Sequence, residues 1–358
     1  MKSLLVYYDP ELTTKLEDIP IPSYNEDEVL IKVVIAGSNP KDWKHPMPQY
    51  FNSKLNQGDD VGGVVAAVGA NVQHFRPGDR VAGFHQMNTP RGTYAEYTVC
   101  PAHTVFHIPA SMSFEEAATI PLAAFTAAVG LYRNLLFPLP TTLPSSTANS
   151  PPAPKTPLII NGAASSVGHF AAQLARLNPS IRPIIGLASA ASRPAALESG
   201  CDIVIDYRSP SATVIAELTD ALGGAECSHV FDAVNSVQSL AYLLPVIRSE
   251  GGRYTCTTGL RSAGIYTKKE GEVEQAELLE RKGVWFKQIW VGSVHDDVVG
   301  GGRVFGGEVA RLFEALVGEG RLRGLPGRVV DGLERVEEAL VGMRSGGKEW
   351  RGKVGVRV

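Results

Sequence analysis

The chain has 358 residues, 44% of them hydrophobic and 20% charged, with a formal net charge of −3. That apolar share supports a large core and two domains, and the lack of a sustained basic stripe argues against a nucleic-acid partner. No stretch approaches the apolar length of a membrane span, and the opening MKSLLVYYDPEL turns polar too early for a secretory signal, so a soluble, cytoplasmic protein with no membrane partner is expected. Cys100, Cys201, Cys227 and Cys256 are scattered without paired spacing and read as reduced, mostly buried thiols.

Up to about Ala118 the pattern is β-rich, with strands expected over Glu28 to Ile35, Val61 to Val68, Arg80 to Gly83 and Thr93 to Val99. These describe a compact barrel-like domain. Arg76-Pro77-Gly78-Asp79 places Pro and Gly where a type II turn wants them, and Gly62-Gly63 suggests a bulge or a close backbone approach. From Phe114 to Leu135 the pattern switches to helix. Pro138 to Pro157 then breaks all periodicity with Pro, Ser and Thr, as a surface loop dispensable for chemistry would.

The run PLIINGAASSVGHFAAQLARL, Pro157 to Leu177, carries the most chemistry. The apolar strand Leu158-Ile159-Ile160 feeds a turn of small residues, Gly162 to Gly168, and apolar residues from Ala171 to Leu177 then repeat at helical spacing. A pyrophosphate can approach the backbone N–H groups of Ala164, Ser165, Ser166, Val167 and Gly168 directly. The positive end of the helix and the two serine hydroxyls stabilise an anion there without a formal cation.

A second strand, Pro183 to Leu187, and a third, Asp202 to Asp206, continue the strand-and-helix rhythm. In dinucleotide folds an Asp or Glu some 20 residues past the glycine turn selects NAD through the ribose 2′-hydroxyl. That carboxylate is missing. Ser189, Ser192 and Arg193 offer donors and a positive charge that suit a 2′-phosphate, so NADPH is the better match; the lesser reading of Arg193 is a solvated first-turn arginine.

Strands at His229 to Ala233, Gly252 to Thr258 and Phe286 to Val291 bring the unit to roughly the six strands of a full dinucleotide fold. Ligands sit beyond the carboxyl ends of such strands, which nominates Thr257, Thr258 and Gly259, then Val291, Gly292 and Ser293, beside the nicotinamide half. An amphipathic helix, Leu333 to Met343, and a strand, Gly352 to Val358, close the chain and are expected to rejoin the first domain.

Read in order, SNPKDWK (Ser38 to Lys44), GDDVGGVVAAVG (Gly58 to Gly69), RPGDRVAGF (Arg76 to Phe84), RGTYAEY (Arg91 to Tyr97), the AASSVG turn, DYRSP (Asp206 to Pro210) and the closing GKV resemble the medium-chain dehydrogenase/reductase superfamily. The likeness spans nearly the whole chain. Within that superfamily it is most similar to the zinc-free fungal branch of ToxD-like oxidoreductases, quinone oxidoreductases and trans-acting enoyl reductases. The resemblance implies an α/β fold: a GroES-like β-barrel domain, residues 1–118 with 300–358, and a Rossmann domain with a six-stranded parallel sheet, residues 119–299.

Zinc members of the superfamily carry a Cys, a His-Glu pair and a four-cysteine lobe, whereas here Ser38 and Asn39 stand in the cysteine region and Asp59-Asp60 follow Gly58. No metal is therefore expected, since catalytic zinc needs about three protein ligands, and the extended spacing of His103 and His107 does not converge them on one ion. Without a Lewis acid, a conjugated alkene is a less demanding acceptor than a simple ketone, because hydrogen-bond donors can stabilise the enolate that hydride delivery creates.

By resemblance, Lys44 lies near the nicotinamide ribose and substrate carbonyl, and Thr126 is a pocket donor. Lys44 could instead be a solvated loop lysine, and Thr126 could back-bond within its helix. Resemblance also packs Tyr207 on the nucleotide, sets Ser189, Ser192 and Arg193 on the 2′-phosphate and returns Lys353 to the cofactor. Tyr94, Tyr97 and Tyr132 are candidates for a proton donor but read more readily as core.

The expected activity is an NADPH-dependent, zinc-independent reductase of an enone, an enoyl thioester or a quinone. The alternatives are an alcohol or carbonyl oxidoreductase of the same superfamily and a non-catalytic NADPH-binding sensor. Expected partners are a small electrophilic substrate and a polyketide synthase carrier domain, toward which basic residues between Arg321 and Arg328 are suggestive. The protein is expected as a monomer or a homodimer, since the strand Phe286 to Val291 could extend its sheet across a two-fold axis while Trp285 and Trp290 would equally suit a covered pocket or core.

Overall fold

The computed structural model describes residues 1–140, 155–257, 272–297, 301–346, 350 and 352–358. It divides into two compact units, Met1–Phe125 with Val291–Val358, and Thr126–Trp290.

In the first unit, β1 (Lys2–Tyr8) and β2 (Leu12–Asp18) form an antiparallel hairpin. β3 (Glu28–Ser38) is the organising strand: almost every residue along it is buried, so it lies inside a sheet rather than at an edge. The short α1 (Pro40–Lys44) follows, then β4 (Asp60–Val68), β5 (Arg80–Phe84), β6 (Tyr97–Pro101) and β7 (Val105–His107). Gly63 lets β4 and β3 approach closely, since a Cβ there would meet the Lys32 carbonyl at 2.3 Å, and the pairing shifts register at Val33/Ile35. Gly78 has φ +97°, and the Asp79 amide bonds the Arg76 carbonyl at 3.2 Å, which makes the expected type II turn.

α2 (Phe114–Ala117) and α3 (Pro121–Ala128), continued by a π-helical turn to Asn134, lead into the second unit. The expectation that no stretch matches a membrane span in apolar length needs correcting. Phe114–Asn134 is long and apolar enough, but it is mostly buried inside the protein, as a core helix is.

The second unit alternates strand and helix: β8 (Thr156–Asn161), α4 (Ser166–Arg176), β9 (Ile181–Leu187), α5 (Arg193–Glu198), β10 (Ile203–Ile205), α6 (Ser211–Ala221), β11 (His229–Asp232), α7 (Val237–Leu243), β12 (Arg253–Cys256), α8 (Glu272–Arg281) and β13 (Trp285–Gln288). The strands are all parallel, in the order β10-β9-β8-β11-β12-β13. This is the doubly wound Rossmann order, in which the chain reverses direction across the sheet between β8 and β11. Ile159, Ile185, Val230 and Tyr254 anchor one face of its core.

The chain then returns to the first unit through a 3₁₀ turn, Val291–His295, α9 (Gly302–Gly318), β14 (Gly327–Asp331), α10 (Val336–Ser345) and β15 (Lys353–Arg357). β15 pairs in parallel with β14 and antiparallel with β3, which completes a seven-stranded sheet around Val29, Ile31, Val61, Val81 and Val356. The strand expected over Phe286 to Val291 ends at Gln288, so Val291 and Gly292 lie in a 3₁₀ turn instead. All four cysteines are unpaired and buried. Residues 141–154, most of the Pro/Ser/Thr-rich stretch, lie outside the described residues.

Candidate functional site

The turn between β8 and α4 is shaped by two glycines. Gly162 has φ +72°, a conformation side chains rarely adopt, and a Cβ on Gly168 would meet the Gly162 carbonyl at 2.1 Å. Only a bare backbone lets the helix sit this tightly on its strand. Ser165 caps α4 by accepting the Gly168 amide at 3.1 Å, so its oxygen serves the helix while its O–H remains a donor. The N–H groups of Ser166 and Val167 meet no acceptor among the described residues. They point along the helix axis where an anion would be stabilised.

The carboxyl end of β9 lies next along the sheet. Ser189 is buried and donates to the Ser192 hydroxyl at 3.0 Å. Arg193 opens α5, is exposed and has no carboxylate partner among the described residues. Asp206, just past β10, is occupied by the Ala190 amide at 3.0 Å and the Arg208 amide at 3.0 Å. Tyr207, half-buried, follows β10, and past β12 the Thr257 hydroxyl bonds the Ala233 carbonyl at 3.0 Å. The structure thus places the Ala164 to Gly168 turn, Ser189, Ser192, Arg193, Tyr207 and Thr257 at the carboxyl ends of strands of one sheet. Thr258 and Gly259 lie outside the described residues.

These residues fit a dinucleotide with a 2′-phosphate. Donors, a helix N-terminus and the Arg193 guanidinium suit its anionic groups, and among the described residues no carboxylate is bonded to that guanidinium.

The other expected site residues lie on other elements. Lys44 ends α1, its ammonium 5.2 Å from the Trp43 ring. Thr126 is buried within α3. Val291 and Gly292 begin the 3₁₀ turn of the first unit. Lys353 is buried, its ammonium 2.7 Å from Asn39 Oδ1 and 2.8 Å from Asp60 Oδ2.

Sequence reading missed the polar network around that lysine. Asp60 also accepts the Asn39 side-chain amide at 2.8 Å and the Leu122 amide at 2.6 Å. Beside it, the half-buried Lys41 is ion-paired with Asp59 and, at 3.1 Å, with Asp42. His85 Nδ1 bonds Asp59 at 2.8 Å, and the Tyr94 hydroxyl donates to Asp42 at 2.7 Å. Burial pushes the Asp42 carboxyl up to about 6 against the opposing pull of Lys41. Burial also works to raise Asp59, but Lys41 and His85 outweigh it and hold that group below its ordinary value.

Asp59 is thus engaged with Lys41, and Asp60 with Asn39 and Lys353. Of the tyrosines weighed as proton donors, Tyr94 is wholly buried and donates to Asp42, and Tyr132 is buried as well. Proximity in sequence gave no sign of these pairings, since Lys353 and Asp60 are 293 residues apart.

Residues 25–110 match the alcohol dehydrogenase GroES-like domain. The chain is 37% identical over 341 residues to the trans-enoyl reductase fsr4 of Gibberella fujikuroi, covering 93% of this chain and 91% of that protein. It is 27% identical over 355 residues to lovC of Aspergillus terreus, the enoyl reductase component of lovastatin nonaketide synthase, covering 96% and 93%. Among solved structures, Escherichia coli quinone oxidoreductase complexed with NADPH superposes with a TM-score of 0.71 at 20% identity, over 99% of this chain and 100% of that one. With its GroES-like match, its parallel Rossmann sheet and a relative this similar over nearly its whole length, the chain belongs to the fungal trans-enoyl reductases of the medium-chain dehydrogenase/reductase superfamily.

Proposed function

We propose that this protein is an NADPH-dependent, metal-independent reductase of activated carbon–carbon double bonds, acting in trans on an enoyl thioester carried by a polyketide synthase. The observation that carries the reading is the anion-binding edge of the Rossmann sheet. Its Ala164 to Gly168 turn offers backbone amides to a diphosphate, and Ser189, Ser192 and Arg193 at the end of β9 match a 2′-phosphate where NAD-selective folds place a carboxylate. NADPH would supply the hydride. Val291 and Gly292, together with Thr257, Thr258 and Gly259, are assigned to the nicotinamide half and Tyr207 to the adenine half.

Lys44 and Thr126 are assigned to the substrate carbonyl, where a cation and a hydroxyl stabilise the negative charge that builds on oxygen as the β-carbon is reduced. A metal-free polar site suits this acceptor, since the charge spreads over the conjugated system. The exposed Arg321, Arg323 and Arg328 complement the acidic surface typical of carrier domains. The family relationship to lovC, named as a component of a polyketide synthase, supports the same partner.

The test is NADPH oxidation followed at 340 nm with enoyl thioesters, enones, quinones and a saturated ketone, each repeated with NADH. Turnover of an enoyl thioester with NADPH and none of the ketone is expected. Turnover of the ketone would favour a carbonyl reductase. Cofactor binding without turnover of any acceptor would favour a sensor.

A further inference from the structure

We propose that His74, His107 and Glu314 form a site for a divalent transition-metal ion, zinc foremost, on the first unit, with Asp79 orienting the His107 ring. The site shares no residue with the Asp59/Asp60 network or with the sheet edge assigned to the cofactor.

The three side chains come from separate elements. His74 lies in the loop between β4 and β5, His107 ends β7, and Glu314 lies in the middle of α9. Their donor atoms all lie within 4.8 Å of one another. His74 Nε2 is 3.0 Å from Glu314 Oε1, and His107 Nδ1 is 3.0 Å from Glu314 Oε2. A zinc ion held at about 2.0–2.1 Å by each donor needs donor separations of roughly 3.3 Å. Each imidazole already lies 3.0 Å from a Glu314 oxygen, and closing the remaining separations, none above 4.8 Å, would bring the three donors onto one ion with water completing a tetrahedron.

Two further features separate this group from an incidental cluster. His107 Nε2 is 3.1 Å from Asp79 Oδ2, the arrangement in which a carboxylate holds a ligating imidazole in one tautomer and leaves its other nitrogen to the metal. Asp79 is itself fixed, accepting the Arg76 amide at 2.9 Å. The rings are also packed: Phe75 lies 4.8 Å from the His107 ring and 4.9 Å from the His74 ring, and the His107 amide holds Glu314 Oε2 at 2.9 Å. The donors are thus positioned before any ion arrives, which reduces the ordering cost of binding. Two imidazoles and one carboxylate favour zinc and copper(II) over magnesium or calcium. A bound ion would fasten α9 to β7 and the β4–β5 loop.

The test uses the full-length protein without a histidine tag, stripped with EDTA and dialysed. Zinc titration by calorimetry is expected to give one site per chain, and cobalt(II) a tetrahedral visible absorption band. His74 is 58% exposed, so His74→Ala removes little packing and tests ligation cleanly. His74→Ala and His107→Ala should abolish the cobalt band, and Asp79→Asn should weaken zinc binding by about ten- to a hundredfold. Zinc should raise the unfolding temperature of the native chain and leave that of His74→Ala unchanged, while NADPH oxidation by both remains equal. Zinc heat in the native chain no different from that of the His74→Ala/His107→Ala double variant would overturn the proposal and leave the reductase assignment untouched.

Discussion

The proposed cofactor preference rests at the residue scale on Arg193. Its guanidinium has no carboxylate to satisfy among the described residues, so a 2′-phosphate would be its first partner. Hydrogen bonds to charged groups contribute about 1.5–3 kcal/mol, and roughly 1.4 kcal/mol corresponds to a factor of ten. Arg193→Ala is therefore expected to raise KM for NADPH by about tenfold or more and leave KM for NADH nearly unchanged, read from initial rates with each coenzyme. Equal effects on both would refute the assignment. The charge change at the end of β9 was legible in the sequence because its place follows from the strand rhythm. The Lys41 network was not, because Lys41, Asp59 and His85 meet only after β4 and β5 have paired with β3.

Among the elements, the β8–α4 junction leaves the least room for substitution. A methyl on Gly168 would lie 2.1 Å from the Gly162 carbonyl, so Gly168→Ala must lever α4 off its strand. Overpacking of this kind costs about 1–3 kcal/mol, and here it also displaces the amides assigned to the diphosphate. The variant is expected to lose NADPH binding by calorimetry before it loses its fold by circular dichroism.

β15 gives a second test. Breaking a buried ion pair by removing one partner costs about 3–5 kcal/mol, because the other charge stays buried alone. Lys353→Met should lower the unfolding temperature, and adding Asp60→Asn should restore part of it. If the lysine acts on the cofactor instead, KM for NADPH rises and the second change rescues nothing.

Elements with clean periodicity, β8, α4, β9 and β11, could be read from their residues. α9 could not: Gly302, Gly306, Gly307 and Gly318 depress its helical propensity, and tertiary packing supplies the reason for two of them, since a Cβ would lie 1.9 Å from the Ser293 carbonyl at Gly302 and 2.8 Å from the Val294 carbonyl at Gly306. The hairpin of β1 and β2 was missed because the apolar run of β1 does not alternate and β2 is largely polar.

For the whole molecule, burial sets the response to acid. It holds His45 and His295 down to about 3 and His103 and His229 down to about 4, against an ordinary 6.5. Between about pH 4 and 6.5 the unfolded chain takes up protons that the folded one refuses, so stability is full above 6.5 and falls as the pH drops. Asp42, raised to about 6, acts in the opposite sense, its contribution being lost as the pH rises through that value.

Four histidines against one carboxyl leave a net loss on acidification, at most about 1.4 kcal/mol per pH unit for each histidine. Unfolding temperatures measured from pH 8 to pH 4.5 should fall steadily below 6.5. Both ring nitrogens of His295 are enclosed without a hydrogen-bond partner among the described residues. His295→Leu should therefore flatten that profile, gaining most at the acid end. An unchanged slope would mean that His295 is protonated in the folded protein.

The place of β15 between β14 and β3 also fixes an order of events during synthesis on the ribosome. The Rossmann unit holds all of its strands between Thr156 and Gln288, so it can close its sheet while the tail is still being translated. The first unit cannot, because one of its inner strands arrives more than 300 residues after β3 begins. Nascent chains halted before Gly352 should then resist protease across the inserted half while the early strands are still cleaved, leaving a window in which a chaperone rather than a partner strand must cover β3.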